Sequence, residues 1–372
     1  MKKFATLALV SQTLRRDLED PLKYFKKLKI LHFYTDASYG DMREEDFAST
    51  PIRYRDSAQL ARLLEEAKPD IIQGPEPYAS RLALKNAWIV AQYARRTRTP
   101  YFFPVFENRP VLEKFGWPVG LFMQTILGVY GRAAAGVINL NLGARANLIA
   151  AGVPEHKITR LNWGTWGIDV AEFDSDPKRR STYPLVFFVG RVSEAKGVPD
   201  LLSAWPKILE LYPKAKLVIG GPIDPQSPLN AQIKDSPATT FLGPIKNAEL
   251  PRYFQEAWVT VAPSVTTKTW EEQVGMINLQ SLACATPVVT TNSGAIPEYV
   301  GENHGAILVP EHAPETITRA VCQFLADAKR RVLAGQRGRR HVVKEYEVKK
   351  NVERDEEYVL SLLRKADHEG LK

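Results

Sequence analysis

Cysteine is scarce in this sequence, with only Cys284 and Cys322 among 372 residues. Two cysteines exclude a disulfide-stapled scaffold and any zinc module built on cysteine ligands. Both lie in segments with helical patterns, so we expect free thiols in a reducing compartment. The six histidines form no clustered ligand set with aspartate, glutamate or cysteine.

Long apolar runs are missing as well. No segment reaches the ~20 apolar residues of a membrane span. Residues 115–131 come nearest, being uncharged but interrupted by Pro118 and several glycines. Residues 1–10 resemble the beginning of a short signal peptide, but no small-residue cleavage site follows, so we interpret residues 4–10 as a buried strand. We expect a cytoplasmic protein.

The phosphate loops of common nucleotide enzymes are also missing. Neither half of the chain contains Gly-x-Gly-x-x-Gly or a Walker loop, which argues against an NAD-dependent enzyme and a P-loop NTPase. A disordered chain is excluded too, because 44% of the residues are hydrophobic and 25% are charged.

The excess of basic residues is confined to the first half of the chain. Residues 1–165 contain 24 Lys and Arg against 16 Asp and Glu, whereas residues 166–372 contain 26 of each. A basic half can attract an anionic membrane surface or an anionic acceptor. Residues 15–29 mix apolar and basic side chains, which fits either an interfacial helix or a solvated surface helix. No nucleic-acid motif is present.

Strand-length apolar runs alternate with longer amphipathic stretches, which predicts an α/β protein with parallel sheets. In the first half we predict strands at 5–10, 29–34, 70–73, 101–106 and 136–139 and helices at 57–67 and 81–95. In the second half we predict strands at 185–189, 216–219, 240–242, 259–262 and 288–291 and helices at 198–212, 248–256 and 275–283.

This repetition predicts two Rossmann-like, doubly wound parallel-sheet domains that face each other across a cleft. We place the first domain at residues 1–170 and the second at residues 171–345. Residues 346–372 are predicted to form a charged amphipathic helix that packs back toward the first domain.

Two cations follow the first strand of the second half. Arg191 and Lys196 lie five residues apart in a turn before a predicted helix. Ligands of open parallel sheets bind at the carboxyl ends of the strands. A guanidinium can fork two phosphate oxygens and an ammonium adds a point charge, so these residues fit a phosphate site. The alternative is a turn with solvated charges.

Two acids, Glu271 and Glu272, precede a helix that we predict to begin at Gly275. The amides of Gly275, Met276 and Ile277 would present the positive end of the helix dipole to an anion. Glu272 can accept hydrogen bonds from sugar hydroxyls. The alternative is that both acids only complement the helix dipole.

The order of these motifs resembles that of a known family. Residues 190–197 are followed in turn by residues 241–250, 263–264, 272–287 and 293–298. The series is similar to the carboxyl-terminal domain of the family 4 glycosyltransferases with the GT-B fold, the glycosyl transferases group 1. The resemblance covers residues 140–345 and is weak before them.

The resemblance implies roles for the matched residues. Arg191 and Lys196 would bind the diphosphate of a nucleotide-sugar donor, and Glu272 would hold hydroxyls of its sugar. The first domain would bind the acceptor and the second the donor. The donor-binding residues implied by the resemblance are Gly190, Gly243, Ile245, Gly275, Met276, Ile277 and Gln280. The family uses no bound metal and no cofactor besides the donor, and we expect none here.

Three features depart from the family. Gln280 replaces a glutamate that grips the ribose, and an amide binds a diol about 1 kcal/mol more weakly than a carboxylate. Residues 11–16 lack the family's glycine-rich loop. Glu107 stands where the family often has a histidine. It is either a catalytic residue that orients a sugar or an ordinary loop acid.

The resemblance implies a retaining glycosyltransferase that moves a sugar from a UDP- or GDP-sugar to a hydroxyl of a glycan, lipid or small-molecule acceptor. The alternatives are an epimerase or phosphorylase on the same fold, and a nucleotide-sugar-binding protein without turnover. The basic first half and residues 115–131 indicate a lipid acceptor at a membrane surface, with residues 115–131 as a buried helix under the sheet being the alternative.

Overall fold

The structure, a computed structural model, describes residues 4–14, 16–36 and 47–368 except the side chain of Asp17. The chain divides into two compact units. The first unit comprises residues 1–167 and 348–372, and the second unit comprises residues 168–347. Each unit is a parallel sheet with helices, and this confirms the predicted α/β class.

The first unit contains a seven-stranded sheet in the order β3-β2-β1-β4-β5-β6-β7, with every pair parallel. Its strands are β1 (Ala5–Val10), β2 (Leu28–Tyr34), β3 (Thr50–Arg53), β4 (Ile71–Gln73), β5 (Tyr101–Val105), β6 (Gly136–Asn139) and β7 (Ile158–Arg160). Its helices up to residue 150 are α1 (Arg16–Glu19), α2 (Ser57–Ala67), α3 (Arg81–Thr97), α4 (Val111–Phe115), α5 (Val119–Ala133) and α6 (Leu142–Ala150).

The second unit contains a six-stranded sheet in the order β10-β9-β8-β11-β12-β13, also parallel throughout. Its strands are β8 (Leu185–Val189), β9 (Lys216–Gly220), β10 (Thr239–Gly243), β11 (Val259–Ala262), β12 (Val288–Thr291) and β13 (Ala306–Val309). Its helices are α7 (Val198–Leu211), α8 (Leu229–Asp235), α9 (Leu250–Glu256), α10 (Met276–Ala283), α11 (Ile296–Val300), α12 (Pro314–Ala326) and α13 (Ala328–Glu345).

The central strands form because they are apolar on both faces, as strands covered by helices on both sides must be. All five residues of β5 and all five of β8 are buried. Helices begin where a polar side chain caps them: Asp56 accepts from the amide of Gln59 before α2, and Ser80 accepts from the amide of Ala83 before α3.

The last helix, α14 (Val348–His368), belongs to the first unit. The buried carboxylate of Glu356 accepts hydrogen bonds from three successive backbone amides at 2.9, 2.6 and 3.1 Å, those of Lys26, Lys27 and Leu28. A charged acceptor with three amide donors makes a strong anchor. Glu356 therefore fixes α14 to the beginning of β2.

Two segments that the sequence connected with a membrane surface have both buried and exposed residues. Residues 16–24 form α1 and a short 3-10 turn whose Glu19 and Leu22 are buried, and β2 begins at Leu28. Residues 115–131 contribute to α4 and α5, where Leu127 and Tyr130 are buried and Trp117, Leu121 and Phe122 are exposed. The second segment is thus a helix with one side in the core and one side at the surface.

Candidate functional site

The carboxyl ends of the strands in the second unit are held together by their own backbone. After β8, the amide of Gly190 donates to the carbonyl of Gly220 at 3.1 Å, and the amide of Gly221 donates to that of Gly243 at 2.7 Å. These hydrogen bonds join the loops after β8, β9 and β10 into one continuous edge of the sheet, here called the rim. Ligands of such sheets bind along this rim.

Lys196 and Glu272 meet on the rim although 76 residues separate them. Lys196 follows β8 in a 3-10 turn, and its ammonium is paired with the carboxylate of Glu272. Both side chains are less than a third exposed. The ammonium also lies 4.5 Å from the centre of the Trp270 ring, a cation–π contact. The structure therefore brings together two of the residues that the sequence predicted.

The turn that carries Lys196 depends on a glycine. Gly197 has φ +66° and begins α7, and a Cβ atom there would collide with the carbonyl oxygen of Pro263. This close approach joins the loop after β8 to the loop after β11. The hydroxyl of Ser264, which follows Pro263, donates to the carboxylate of Glu272 at 2.8 Å. The loops of two adjacent strands thus orient the acid between them.

The amino end of α10, at Met276, follows Glu272 by four residues in the sequence. Gly275 precedes the helix with φ +74°, a left-handed conformation that an L-residue rarely adopts. Met276 and Ile277, the first two helical residues, are half-buried. Their amides lie in the first turn, where no intrahelical carbonyl can accept from them. The amino end of this eight-residue helix can therefore receive an anion.

Gln280 is buried within α10, and its amide nitrogen donates to Oδ1 of Asn247 at 3.4 Å. The Oε1 atom of Gln280 and the Oδ1 atom of Asn278 are both buried without a hydrogen-bond partner among the described residues. Buried polar atoms are seldom left unpaired in folded proteins. A ligand hydroxyl or amide could therefore satisfy them only if the side chains turned toward the rim.

The remaining predicted residues of the second unit also lie on the rim. Arg191 is exposed directly after β8 and Gly190. Ile245 is half-buried after β10 and Gly243, and its Cδ1 atom occupies the space where a side chain on Gly220 would lie.

A buried guanidinium joins the loops that precede β11 and β12, at the opposite edge of the sheet from the rim. Arg180 donates to Oγ1 of Thr286 at 2.8 Å and to the carbonyls of Phe254, Ala257 and Ala285, so it caps the carboxyl ends of α9 and α10. Burial lowers the pKa of Arg180 to about 10, which leaves it charged at neutral pH.

Glu107 lies in the first unit, after β5, and is only 4% exposed. Its carboxylate is paired with Lys114 and accepts from the amide of Arg109 at 2.9 Å. Beside it, Oε1 of Glu76 accepts from the amides of Phe106 and Glu107 at 3.2 and 3.0 Å. Burial and the negative charge of Glu107 raise the pKa of Glu76 to about 7.

A second polar chain occupies the end of β1 in the same unit. The Ser11 hydroxyl is 2.8 Å from Nε2 of His32, and Nδ1 of His32 is 2.6 Å from Oε2 of Glu19. His32 and Glu19 are fully buried. Burial alone would raise the pKa of Glu19, but the hydrogen bond and charge of His32 and the bonds from Ser49 bring it below its ordinary value. The carboxylate is therefore ionised and orients the imidazole.

Sequence patterns did not single out Glu76, Trp270, Asn247 or the chain from Ser11 to Glu19 as site residues. Each is placed by contacts between loops of different strands. The one usable signal was position, since Ser11 directly follows a predicted strand and Glu76 comes three residues after another. Among the described residues, no three His, Cys, Asp or Glu side chains group as metal ligands.

Comparison with known proteins shows that the second unit is similar to a known family. Residues 169–341 match the family model described as glycosyl transferases group 1. The chain is 29% identical over 248 residues to the GDP-mannose-dependent alpha-(1-6)-phosphatidylinositol monomannoside mannosyltransferase of Mycobacterium tuberculosis, covering 63% of this chain and 64% of that protein. The chain spans 36 to 64% of the length of the curated relatives it matches first.

Solved structures share the fold over nearly the whole chain. Sucrose-phosphate synthase from Thermosynechococcus elongatus has a TM-score of 0.75 at 18% identity, covering 97% of this chain and 98% of that one. HepE of Anabaena, in complex with UDP and glucose, has a TM-score of 0.74 at 16% identity, covering 96% and 100%. These likenesses confirm the GT-B fold predicted from the sequence.

Proposed function

We propose, from the premise that the chain belongs to the glycosyl transferases group 1 family through its second unit, that it moves a sugar from a nucleoside-diphosphate sugar to an acceptor hydroxyl with retention of anomeric configuration. The observation that carries the proposal is the pairing of Lys196 with Glu272 on the rim of the second unit. The pair places a cation that can bind phosphate in contact with an acid that can bind sugar hydroxyls.

The pair also explains how the site receives the donor. A partly buried ion pair loses much of its stabilisation when one partner is left alone. A donor supplies a new partner to each side, since its diphosphate is an anion for Lys196 and its sugar hydroxyls donate to Glu272. Ser264 and Trp270 hold the two side chains in place until then.

The chemistry asked of the protein is mainly electrostatic. Cleavage of the bond between sugar and phosphate leaves negative charge on the diphosphate and positive charge on the sugar. Arg191, Lys196 and the amides of Met276 and Ile277 are fixed groups of the right sign for the leaving anion. The backbone from Gly243 to Ile245 is proposed to meet the base, and Gln280 the ribose. No metal or other cofactor is required by this scheme.

The first unit is proposed to bind the acceptor. Its net charge of +8 and the phosphatidylinositol mannoside named for the mycobacterial relative support a lipid or lipid-linked glycan, taken up by a peripheral protein at the inner face of a cytoplasmic membrane. Glu107 is proposed to orient a sugar hydroxyl. A Glu107→Gln variant should then lose about tenfold in kcat, because one charged acceptor is lost, with the loss measured at a temperature where the variant is fully folded, since its ion pair with Lys114 is lost too. Unchanged kinetics would remove Glu107 from the site.

The test is a donor screen with matched variants. Binding of UDP-, GDP- and ADP-sugars by calorimetry, followed by sugar transfer and hydrolysis, identifies the donor. Lys196→Ala should lower kcat/KM about 100- to 1000-fold with the fold intact, because it removes a cation from the leaving group. Lys207→Ala, which changes an exposed lysine of α7 paired with Glu210, is the control and should keep full activity.

Three results would contradict the proposal. Normal turnover of Lys196→Ala at saturating donor would exclude its role. Formation of an epimerised nucleotide sugar from donor alone would indicate an epimerase. Tight donor binding by the unaltered protein without any sugar released or transferred would indicate a binding protein.

A further inference from the structure

The α5 helix of the first unit packs through three glycines together with Leu127 and Tyr130, and exposes other large apolar side chains. Side chains at Gly120, Gly128 and Gly131 would collide with α4, with the carbonyl of Ala151 and with Val153, so the glycines lie on the packed side. Large apolar side chains lie outside, where Phe122 and Val129 are each 58% exposed. A surface helix of a globular protein normally buries its large apolar residues.

The corner before α5 continues this exposed apolar surface. Trp117 is 80% exposed, and Leu112, Val119 and Leu121 are exposed as well. Isolated exposed apolar side chains need no explanation, but a contiguous group indicates an interaction surface. The corner and α5 together expose six large apolar side chains within residues 112–129.

The neighbouring helix α3 adds cations and a second tryptophan. Arg81, Lys85, Trp88 and Arg95 recur at the spacing of one helical face, and all are exposed, Trp88 to 66%. Residues 81–97 and 111–133 together contain six Lys and Arg and one acid, Glu113.

The two helices present these residues on the same side of the unit. α3 connects β4 to β5, and α4 and α5 connect β5 to β6, three adjacent parallel strands. Such crossovers share one hand, which places consecutive helices on the same face of the sheet. α3 and α5 also contact each other. Their outward residues therefore form one surface, here called the α3–α5 face.

We propose that the α3–α5 face docks on an anionic lipid bilayer, with Trp117, Phe122 and Trp88 inserted at the level of the headgroups. Tryptophan is favoured at that depth because its ring is apolar and its N–H is polar. The flanking cations match anionic headgroups, and the near absence of acids removes the repulsion that such a surface would otherwise meet. No helix among the described residues is long and apolar enough to cross a membrane, so docking would take place from one side.

The proposal deepens the membrane contact of the proposed function, since it adds α3 to residues 115–131, which the sequence analysis had already connected with a membrane surface. Sequence reasoning placed the membrane contact partly at residues 15–29, where Lys26 and Lys27 instead lie beside Glu353 and Glu357 of α14. It does not rest on the nucleotide site, which lies in the second unit.

The experiment is flotation of the full chain with vesicles of phosphatidylcholine containing about 30% phosphatidylglycerol. The unaltered protein should bind, and Trp117→Ser combined with Phe122→Ser should weaken binding at least about tenfold, since two large apolar side chains no longer enter the lipid. Leu211→Ser combined with Val332→Ser removes two exposed apolar residues of the second unit and should bind normally.

Two further measurements test the role of the cations and whether a second copy of the chain covers the face. Arg81→Glu combined with Lys85→Glu should abolish the dependence on anionic lipid and on salt. Absence of vesicle binding by the unaltered protein, or equal binding by the Trp117 and Phe122 variant, would overturn the proposal. So would light scattering that shows a dimer dissociated by the same substitutions, because the face would then belong to a second copy. Calorimetric affinity for the donor nucleotide should be unchanged in all these variants.

Discussion

The two units have the same kind of sheet but use its carboxyl edge differently. In the second unit, the charged pair on that edge, Lys196 with Glu272, is partly exposed, and one acceptor atom each of Gln280 and Asn278 in α10 has no partner within the described part of the chain. In the first unit, the charged groups are buried and paired internally, Glu107 with Lys114 and Glu19 with His32. The charged pair of the second unit can therefore exchange partners with a ligand, whereas the charged groups of the first unit already have buried partners.

The net charge of the two units does not follow this difference between their edges. The first unit carries 30 Lys and Arg against 22 Asp and Glu, whereas the second carries 20 of each. The unit that we propose to bind an anionic donor is thus neutral overall, and its cations act at short range. The excess positive charge lies on the unit with the α3–α5 face. Local placement, rather than net charge, indicates the nucleotide site.

The largest expected effect on stability tests whether the second unit depends on the buried guanidinium of Arg180. Arg180→Ala should cost about 3 kcal/mol of unfolding free energy, because several carbonyls and a hydroxyl lose their donor. Calorimetric melting measures the loss. Arg252→Ala, which changes an exposed arginine on the same unit, should melt like the unaltered protein, and an equal loss in both variants would contradict the role of Arg180.

A similar test applies to the anchor of α14 in the first unit. Glu356→Gln should cost about 2 kcal/mol, since a charged acceptor of three amides becomes a neutral one. Hydrogen exchange at the amides of Lys27 and Leu28 should accelerate, while that of β8 should not change. Glu353→Gln is the control, because Glu353 contacts only the exposed Lys26 among the contacts described. Unchanged protection in Glu356→Gln would contradict the anchoring.

The pH dependence of stability tests the buried edge of the first unit. The pKa of Glu76 is about 7 in the fold against 4.5 ordinarily, so the folded state binds a proton that the unfolded state releases. Glu76 therefore lowers stability progressively as pH rises from about 4.5 to 7, by about 3 kcal/mol in total, and by a constant amount above that range.

Glu76→Gln should remove this dependence. Relative to the unaltered protein, the variant should gain stability in urea unfolding between about pH 5 and pH 8. Glu113→Gln, an exposed acid of α4, should show no such gain. A constant difference between Glu76→Gln and the unaltered protein at all pH values would show that Glu76 titrates normally.

The smallest expected effect concerns the ribose. Gln280→Glu should tighten nucleotide binding about fivefold, near 1 kcal/mol, because a carboxylate accepts hydroxyl protons more strongly than an amide. The 2′-deoxy nucleotide should gain less. Equal gains for both nucleotides would show that position 280 does not contact the ribose.

Sequence patterns predicted the centre of both sheets better than their edges. β1, β6, β8, β11 and β12 begin and end where the apolar runs predict. Three edge strands, β3, β7 and β13, were not predicted. β3 and β7 are short and partly exposed, and β3 contains Pro51, so they lack the apolar run that periodicity detects. β13 was overlooked although residues 306–309 are a short apolar run.

The candidate site was predictable in its residue types but not in its contacts. Arg191, Lys196 and Glu272 were found from their positions at strand and helix ends. That Lys196 contacts Glu272 and Trp270 follows from the adjacency of β8 and β11, which no local pattern encodes. Glu76 and the Ser11–His32–Glu19 chain were missed for the same reason, since their partners lie in other loops.

The most direct measurement is a crystal structure of the protein with the nucleoside diphosphate that binds most tightly in calorimetry. The account predicts diphosphate oxygens within hydrogen-bond distance of the Lys196 ammonium and of the amides of Met276 and Ile277, with the ribose at Gln280. A diphosphate bound in the first unit, or no nucleotide binding at all, would contradict it.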